Sequence, residues 1–512
     1  MDYKHEEKDR DSAPGDRAAG NSALKPLRGQ LHFKPGEKRS WSVDDAIEHI
    51  GVGRFHHLLT FFVGVAFASD AMEVVLLSYL QVELRRDWHL SATAAASITS
   101  AVFAGQFIGA LVFGRLADRW GRRPVFLCCA LTTAAAGWLS SYSTAVWHVC
   151  LLRFVVGLGI GGFSVPYDLL AELLPTAARA SVMLSTSVAW SVGSILTSAL
   201  AALVLPAGGW RPFLRLCAVP VAGCTLLYGW LPESPRFLVT RGRAREAAEV
   251  LRRVGRGCGR ELPPFELQQA APAESAAAPA GTLLLPRFRG LSLALWVAWF
   301  CMGLAQYGLV TLLPELFGQS RSQNPHSLQA PHSSDIAVAD TVSLDAADYR
   351  ILIAIASLAL PGMLALWALH VYWAPPRRPL LRAAFASGAV CLVVLAAILH
   401  AAGGESQVRS KWVLVALSGL SAISMSTQSA LLWMYTTEVY PTAVRATGHA
   451  VASSFTRVGA FIAPFADNLH MLHGDTHASA LLLLALSAAL GLLASISLRT
   501  ETAGRVLKDT TE

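Results

Sequence analysis

Charge is what this 512-residue chain has least of. Asp, Glu, Lys and Arg make up 15% of it, against roughly 25% in an average soluble protein. Too few charges are present to coat the surfaces of the several soluble domains that this length would otherwise suggest. Motifs of energy-driven and redox chemistry are missing too. No G-x-x-x-x-G-K-[ST] phosphate loop occurs, so ATP-driven pumping has no support. Gly157-Leu-Gly-Ile-Gly-Gly162 matches the dinucleotide pattern but has no strand before it, and close helix packing accounts for it better. No Ser/His/Asp set stands at a recognisable spacing, and no N-x-[ST] acceptor is found.

The eight cysteines make no disulfide framework. Cys128, Cys129, Cys150, Cys217, Cys224, Cys301 and Cys391 sit in or beside apolar runs, and Cys258 stands alone in a charged loop. Small apolar packing is their expected role. His470, His473 and His477 are too loosely spaced near Asp467 and Asp475 to define a metal site. His56 and His57 open an apolar run and are expected at the membrane interface. The reading is therefore of a protein that is not an enzyme and has no cofactor and no metal.

What is present is apolar: 53% of the residues are hydrophobic, gathered in Leu/Ala/Val-rich runs of about 20, the thickness of a bilayer core. Only helices or closed barrels satisfy their backbone there. The runs do not alternate, which favours helices. Spans are predicted near 56–80, 93–114, 125–143, 147–170, 182–204, 213–231, 291–316, 349–373, 381–401, 411–435, 447–467 and 478–498. The fold class is an all-α polytopic membrane protein with twelve transmembrane helices. The organisation read from this is a mostly disordered tail (1–54), a first six-helix bundle (55–231), a linker loop (232–290), a second bundle (291–498) and a short tail (499–512). A charged stretch precedes the first apolar run, unlike a cleaved signal peptide. Residues 42–50 read as one amphipathic helix, 244–254 as a surface helix with Glu/Arg spacing, 263–281 as a flexible Pro/Ala-rich linker and 318–348 as a mobile outer loop.

The net charge of +7 does not point to nucleic acid, because the arginines are dispersed among the spans. They point to topology. Arg115, Arg119, Arg122, Arg123, Arg179, Arg377, Arg378, Arg382, Arg445 and ten arginines between 236 and 289 fall on one side. The opposite side gets Arg85, Arg86, Arg211, Arg321, Arg350, Arg409 and Lys411. The excess marks the cytoplasmic side and puts both termini there. The plasma membrane and a vesicle membrane are not distinguished. The expected partners are the lipid bilayer, a small organic solute and protons, with the chain a monomer.

Two segments echo each other. Glu172-Leu-Leu-Pro-Thr-Ala-Ala-Arg-Ala180 follows the fourth span, and Glu438-Val-Tyr-Pro-Thr-Ala-Val-Arg-Ala446 follows the tenth; six of nine positions agree. A weaker echo joins Gly121-Arg-Arg-Pro124 to Pro376-Arg-Arg-Pro379. Copies six spans apart on one side suit a transporter that rocks two bundles about a midplane site.

These residues carry a family likeness. Gly114-Arg-Leu-Ala-Asp118-Arg119-Trp-Gly121-Arg122-Arg123 resembles the loop 2–3 signature of the major facilitator superfamily. Arg153-xxx-Gly157-x-Gly159, Pro-Glu-Ser-Pro-Arg at 232–236 and the two Glu-xx-Pro-xxx-Arg copies resemble its sugar-porter and organic-ion branches. Val43 to Phe55, Ser69-Asp-Ala-Met-Glu-Val74, Tyr307-Gly-Leu-Val310 and Tyr435 to Pro441 look like the synaptic-vesicle-two-related group, which includes bacterial niacin porters. The resemblance implies two six-helix bundles, transport by alternating access and a coupling pair at Asp70 and Arg153. Trp373 stands where the first half has Asp118, so the second copy lacks that acid.

Ionisable residues within spans are costly and usually face a cavity. Asp70 and Glu73 lie near the middle of the first span, three apart and so expected to share one helix face. Arg153 lies in the fourth span and Arg457 in the eleventh. One reading makes Asp70 a proton site that alternates with Arg153 or Arg457 as partner; the other makes the group a static ion pair. Arg457 could hold a carboxylate bidentately, with Trp433, Tyr307 or Tyr435 stacking a ring, as for nicotinate. Asp70 and Glu73 could instead attract an organic cation. Gln306, Gln428 and Ser424 are polar candidates for the same site or for helix-helix glue.

A cytoplasmic gate is expected from Gly114, Asp118, Arg119, Gly121, Arg122 and Arg123. Asp118 would pair with Arg122 and meet a helix N-terminus of the other bundle. Glu172 with Arg179, and Glu438 with Arg445, are expected as further pairs. The functional reading is a proton-coupled secondary transporter of an organic ion; the alternatives are a sugar porter or a non-transporting binding protein on the same fold.

Overall fold

The computed structural model describes residues 39–226, 229–268, 280–320, 342–373, 375–402, 411–467 and 477–502. Residues 1–38 of the expected tail, most of the Pro/Ala linker, most of the 318–348 loop, and His470 and His473 lie outside the described residues. The chain divides into the units Met1–Arg39 and Ser40–Glu512, and the described helices all belong to the second.

Ser42 starts α1 (Val43–Ile50) with a capping box. Asp45 N–H donates to Ser42 Oγ at 3.1 Å, and Ser42 N–H donates to Asp45 Oδ2 at 3.0 Å. Hydrogen bonds from Ser42 hold the Asp45 carboxyl below the ordinary carboxylate range. The first half then runs α2 (Arg54–Trp88), α3 (Ala92–Trp120), α4 (Arg122–Ser140), α5 (Val146–Gly161), α6 (Ser164–Leu173), α7 (Thr176–Gly208) and α8 (Trp210–Leu226). Two short helices follow, α9 (Pro235–Thr240) and α10 (Ala244–Gly257). The second half is α11 (Pro286–Phe317), α12 (Ala346–Trp373), α13 (Arg377–Ala402), α14 (Lys411–Val439), α15 (Thr442–Asp467) and α16 (Ala478–Ser497).

With α5 and α6 forming one broken span, these are twelve transmembrane helices in two six-helix bundles. Nine of the described segments are long and apolar enough to cross a membrane on length and hydropathy alone. The other three, α4, α8 and α15, carry basic residues such as Arg122, Arg123, Arg211, Arg215, Arg445 and Arg457. The observed helices outrun their apolar centres. At 1.5 Å per residue, the 35-residue α2 is about 52 Å long, well beyond a core of about 30 Å. Hydropathy marks only the lipid-facing middle of such a helix. Large apolar side chains left exposed, including Phe61, Trp147, Leu203 and Leu486, supply the surface that a bilayer covers.

The fourth span was expected as one helix over 147–170; it breaks at Gly162–Phe163 and restarts as α6. The glycines before the break serve packing. A Cβ on Gly157 would overlap the Val102 carbonyl of α3, and one on Gly105 the Phe154 carbonyl of α5. Backbones this close leave no space for a dinucleotide. Across the two halves, α2 meets α11, α3 meets α15, and α7 meets α12 and α14. The central cavity lies among these crossings.

Candidate functional site: a charged cavity between the two halves

Residues three apart on a helix differ by about 60° around its axis, and that angle separates the two acids of α2. Glu73 turns into the first bundle. It accepts a 2.8 Å hydrogen bond from Arg153 Nη1, and both side chains are at most 2% exposed. Arg153 Nη2 donates to the Gly137 carbonyl at 3.3 Å, and its Nε donates to Ser140 Oγ at 3.3 Å. The guanidinium thus ties α5 to α2 and α4 inside one half. Arg153 was expected to partner Asp70; its partner is Glu73, because only that face of α2 points at α5.

Asp70 faces a cavity of about 100 Å³ between the halves. Arg457, from α15, lines the same cavity. Its Nη1 donates to the Ser453 carbonyl at 2.8 Å. Among the described residues the two charges form no ion pair within 4.0 Å, and Asp70 Oδ1 is buried without a hydrogen-bond partner. Tyr307, Gln306 and Trp433 also line the space, together with Phe67, Tyr167, Trp190 and Trp299. The aromatic wall is continuous: Trp433 lies 5.4 Å from the Tyr167 ring, 5.6 Å from Trp299 and 4.5 Å from His449. Tyr307 lies 4.8 Å from Phe103.

Several expected contacts fall elsewhere. Gln428 is fully buried, and its Nε2 donates to the Ala384 carbonyl at 3.1 Å. Ser424 bonds Ser387 at 2.8 Å, and the Tyr435 hydroxyl donates to the Thr500 carbonyl at 2.7 Å. Gln428 and Ser424 fasten α14 to α13, Tyr435 fastens α14 to the segment after α16, and none of the three lines the cavity. Phe67, Tyr167, Trp190, Ser426 and Ser429 were missed. A signal existed for some: Phe67 is one turn before Asp70, and Ser426, Ser429 and Trp433 follow a helical spacing on one face of α14.

At the arginine-rich end, Arg122 pairs with Glu172 at 3.2 Å and with Asp118 at 3.4 Å. The Arg122 and Arg123 amides, at the start of α4, donate to the Glu233 carboxylate at 2.8 and 3.3 Å, where a helix N-terminus favours an anion. Ser234 Oγ donates to Glu172. Gly121 has φ +102°, and a Cβ there would overlap the Glu233 carboxylate, so a side chain would strain the backbone and displace the acid. Arg241 donates to the Asp118 and Arg119 carbonyls at 3.0 and 2.9 Å. A Cβ on Gly114 would meet open space.

The second half repeats this wiring. Arg377 pairs with Glu438 at 3.5 Å, the Arg377 and Arg378 amides donate to Glu501 at 2.8 and 3.2 Å, and Thr502 Oγ1 donates to Glu438 at 2.6 Å. Glu233-Ser234 and Glu501-Thr502 are therefore a third pair of echoes, too short to detect by sequence matching. Two expected pairs are corrected. Glu172 takes Arg122 where Arg179 was expected, and Glu438 takes Arg377 in the position foreseen for Arg445. Arg179 and Arg445 instead donate to carbonyls five residues back, Leu174 and Tyr440, at 3.2 Å each, closing the turns into α7 and α15. Asp118, 72% exposed, pairs within its own half and, among the described residues, forms no ion pair with the other.

At the opposite end, Arg85 was expected in a loop. It lies on α2 and forms a buried 2.7 Å ion pair with Glu315 of α11, joining the halves. Ser100 Oγ of α3 donates to the Phe461 carbonyl of α15 at 2.7 Å.

Two six-helix bundles related by an internal repeat, with a cavity between them that holds one acid and one base, define a membrane protein of the transporter class. Residues 61–464 match the Major Facilitator Superfamily, and the chain belongs to that family. It is 30% identical to organic cation/carnitine transporter 7 of Arabidopsis thaliana, over 92% of this chain and 96% of the relative. It is 32% identical to the synaptic vesicle 2-related protein of Rattus norvegicus, over 92% and 83%. Among solved structures, the proton:xylose symporter XylE bound to 6-bromo-6-deoxy-D-glucose aligns over 89% of this chain and 98% of its own, with a TM-score of 0.66 and 17% identity, a likeness of fold. The expectation of a multi-pass, lipid-embedded major facilitator protein therefore stands.

Proposed function

We propose that this chain is a secondary active transporter of a small organic ion, working by alternating access with proton coupling at Asp70. One observation carries the reading: Asp70 and Arg457, from different halves, line one cavity without pairing directly. Rocking of the halves changes the distance and hydration between two such groups, and with them the preference of a carboxyl for its proton. Glu73 suits a static role, since Arg153 holds it within one bundle. The aromatic wall favours an organic ligand over a bare inorganic one, and a relative named as an organic cation/carnitine transporter is consistent with that class. The arginine-rich end is read as cytoplasmic, with both termini on that side. The two Arg–Glu clusters would then be the inner gate, and Arg85–Glu315 the outer one.

The test is uptake into proteoliposomes of labelled organic anions, cations and sugars, with and without a pH gradient. Concentrative uptake of an organic ion that collapses in Asp70→Asn is expected; gradient-driven uptake that survives this substitution would remove the coupling role. A second reading, a non-transporting binding protein, draws on Trp373, 74% exposed where the first half has Asp118. Specific binding without flux of any solute would favour it.

A further inference from the structure

A second carboxylate stands close to the cavity. Asp168 lies on α6, the short helix that restarts after the break at Gly162–Phe163. Ser164, Asp168 and Glu172 follow one another four residues apart, so each step rises about 6 Å along one face of α6. Ser164 lines the central cavity, and Glu172 holds Arg122 in the arginine-rich cluster. Asp168 stands between them. It is exposed, and among the described residues its carboxylate forms no hydrogen bond and no ion pair within 4.0 Å. An acid exposed at this depth meets either lipid or water, and lipid is costly for a charge. The charges that act on it are those of Glu172, Arg122 and Asp118, so it opens toward water at the arginine-rich end. What separates it from Asp70 is a row of rings. Tyr167 lies 5.2 Å from Phe67 and 5.4 Å from Trp433 between ring centres, so the row crosses from α2 through α6 to α14 and spans both halves. Each ring is on the arginine-rich side of the cavity. Phe67 precedes Asp70 on α2, which starts at that end; Tyr167 follows Ser164 on α6, and Trp433 follows Ser426 and Ser429 on α14, and both of these helices finish there. A proton leaving Asp70 for that end meets the rings first. Asp168 adjoins Tyr167 in the chain and looks the other way, toward the Arg122 cluster.

We propose, resting on the coupling role of Asp70, that Asp168 is a proton-transfer residue that carries protons between Asp70 and the water at the arginine-rich end. When the rings part and a water enters between them, the Asp70 carboxyl gives its proton to that water while the water gives one of its own to the Asp168 carboxylate. Asp70 is left ionised, Asp168 protonated and the water unchanged, so atoms and charge balance. Asp168 then releases the proton to bulk water or buffer. The reverse sequence loads Asp70. Without a carboxylate just beyond the rings, the proton would leave as a hydronium ion among apolar groups, where an unpaired charge is expensive. The charged groups facing Asp168 are Glu172 on its own helix, Arg122 of α4 and Asp118 of α3. Among the other helices packed on α6, α2 offers His56, α7 Arg179 and α9 Arg236. These are engaged elsewhere, with the Leu173 carbonyl at 2.9 Å, the Leu174 carbonyl at 3.2 Å and Asp44. His449 of α15, 4.5 Å from the Trp433 ring, is the rival carrier.

Purified full-length protein is given a small pH step in weakly buffered solution, and proton uptake is followed with an indicator dye alongside the fluorescence of the cavity tryptophans, Trp190, Trp299 and Trp433. The proton itself is the probe, so no solute is needed. In the parent, a kinetic phase should belong to Asp70 and vanish in Asp70→Asn. Asp168→Asn should keep the amplitude of that phase and slow it at least about tenfold. Acetate or imidazole at rising concentration should restore the rate, because a mobile acid-base pair can do what the carboxylate did. Asp168→Glu should keep the parent rate. An unchanged rate in Asp168→Asn overturns the proposal. So does a slow phase that buffer fails to rescue, which would mark a structural defect, and so does a buffer-rescued defect in His449→Gln alone. Absence of any Asp70-dependent phase in the parent removes the coupling role of Asp70 and the relay with it. An Asp70-dependent phase indifferent to Asp168 sinks the relay and leaves the coupling role standing.

Discussion

Two charged regions lie side by side in the middle of this molecule, and they differ in what surrounds them. Inside the first bundle, Glu73 and Arg153 meet at 2.8 Å, with Ser140 and Gly137 taking further guanidinium hydrogens. In the cavity between the bundles, Asp70 and Arg457 share a space but no contact. The first region is a closed set of partners within one bundle. The second is open, and its two charges belong to different bundles. A pair within one bundle contributes to holding that bundle together; a pair split between bundles can report and drive their relative motion. One turn of α2 carries both kinds of carboxylate.

The largest expected effect tests the closed region. Arg153→Met leaves Glu73 buried without its counter-charge and should cost about 3–5 kcal/mol, seen as a large fall in the melting temperature followed by size-exclusion chromatography. Glu73→Leu combined with Arg153→Met should recover most of that loss. An unchanged melting temperature in Arg153→Met would show that the pair is not structural and dissolve the contrast. Asp70→Asn is expected to do the opposite: stability within about 0.5 kcal/mol of the parent, with gradient-driven uptake reduced at least about tenfold.

The inter-bundle pair at the far end comes next. Glu315→Gln removes one partner of the buried Arg85 contact, which on the proposed transport cycle would close one state and break in the other. Transport should change several-fold, and a cysteine at the cavity-facing Ser187 should react faster with a thiol reagent added from that end. Equal reactivity would mean that Arg85–Glu315 gates nothing. The smallest effects lie at the arginine-rich end. Glu172→Gln should slow transport more than Asp118→Asn, because Glu172 is 20% exposed and Asp118 72%, and an exposed ion pair is worth only about 0–1 kcal/mol. A larger effect from Asp118→Asn would show that this acid meets the other bundle in another state of the cycle.

Composition and the short repeats made the architecture legible. Runs of about 20 apolar residues have few solutions in a membrane, and the Glu-Pro-Arg segments exposed the twofold internal plan. Asp70, Arg457, Tyr307, Gln306 and Trp433 could be picked out as cavity candidates because polar or aromatic residues at mid-span need a reason to be there. Their partners could not be read. Glu73 and Asp70 are equivalent in one dimension; the roll of α2 about its axis, set by its packing against α7, α8 and α11, chose which one meets Arg153. Glu172 and Arg179 are seven apart and looked paired, yet the chain turns at Pro175 and brings Arg122, fifty residues away, to the acid. Gln428 and Trp433 are five apart on α14, but the helix turns one toward α13 and the other into the cavity.

The amino-acid sequence by itself therefore determined a twelve-span, twice-repeated membrane protein, because local hydropathy and helix geometry depend only on neighbours along the chain. Which charges close on each other and which stay open to a ligand was decided by tertiary structure alone. An ion pair depends on distances of a few ångströms between helices, and those are set only when all of the helices have packed.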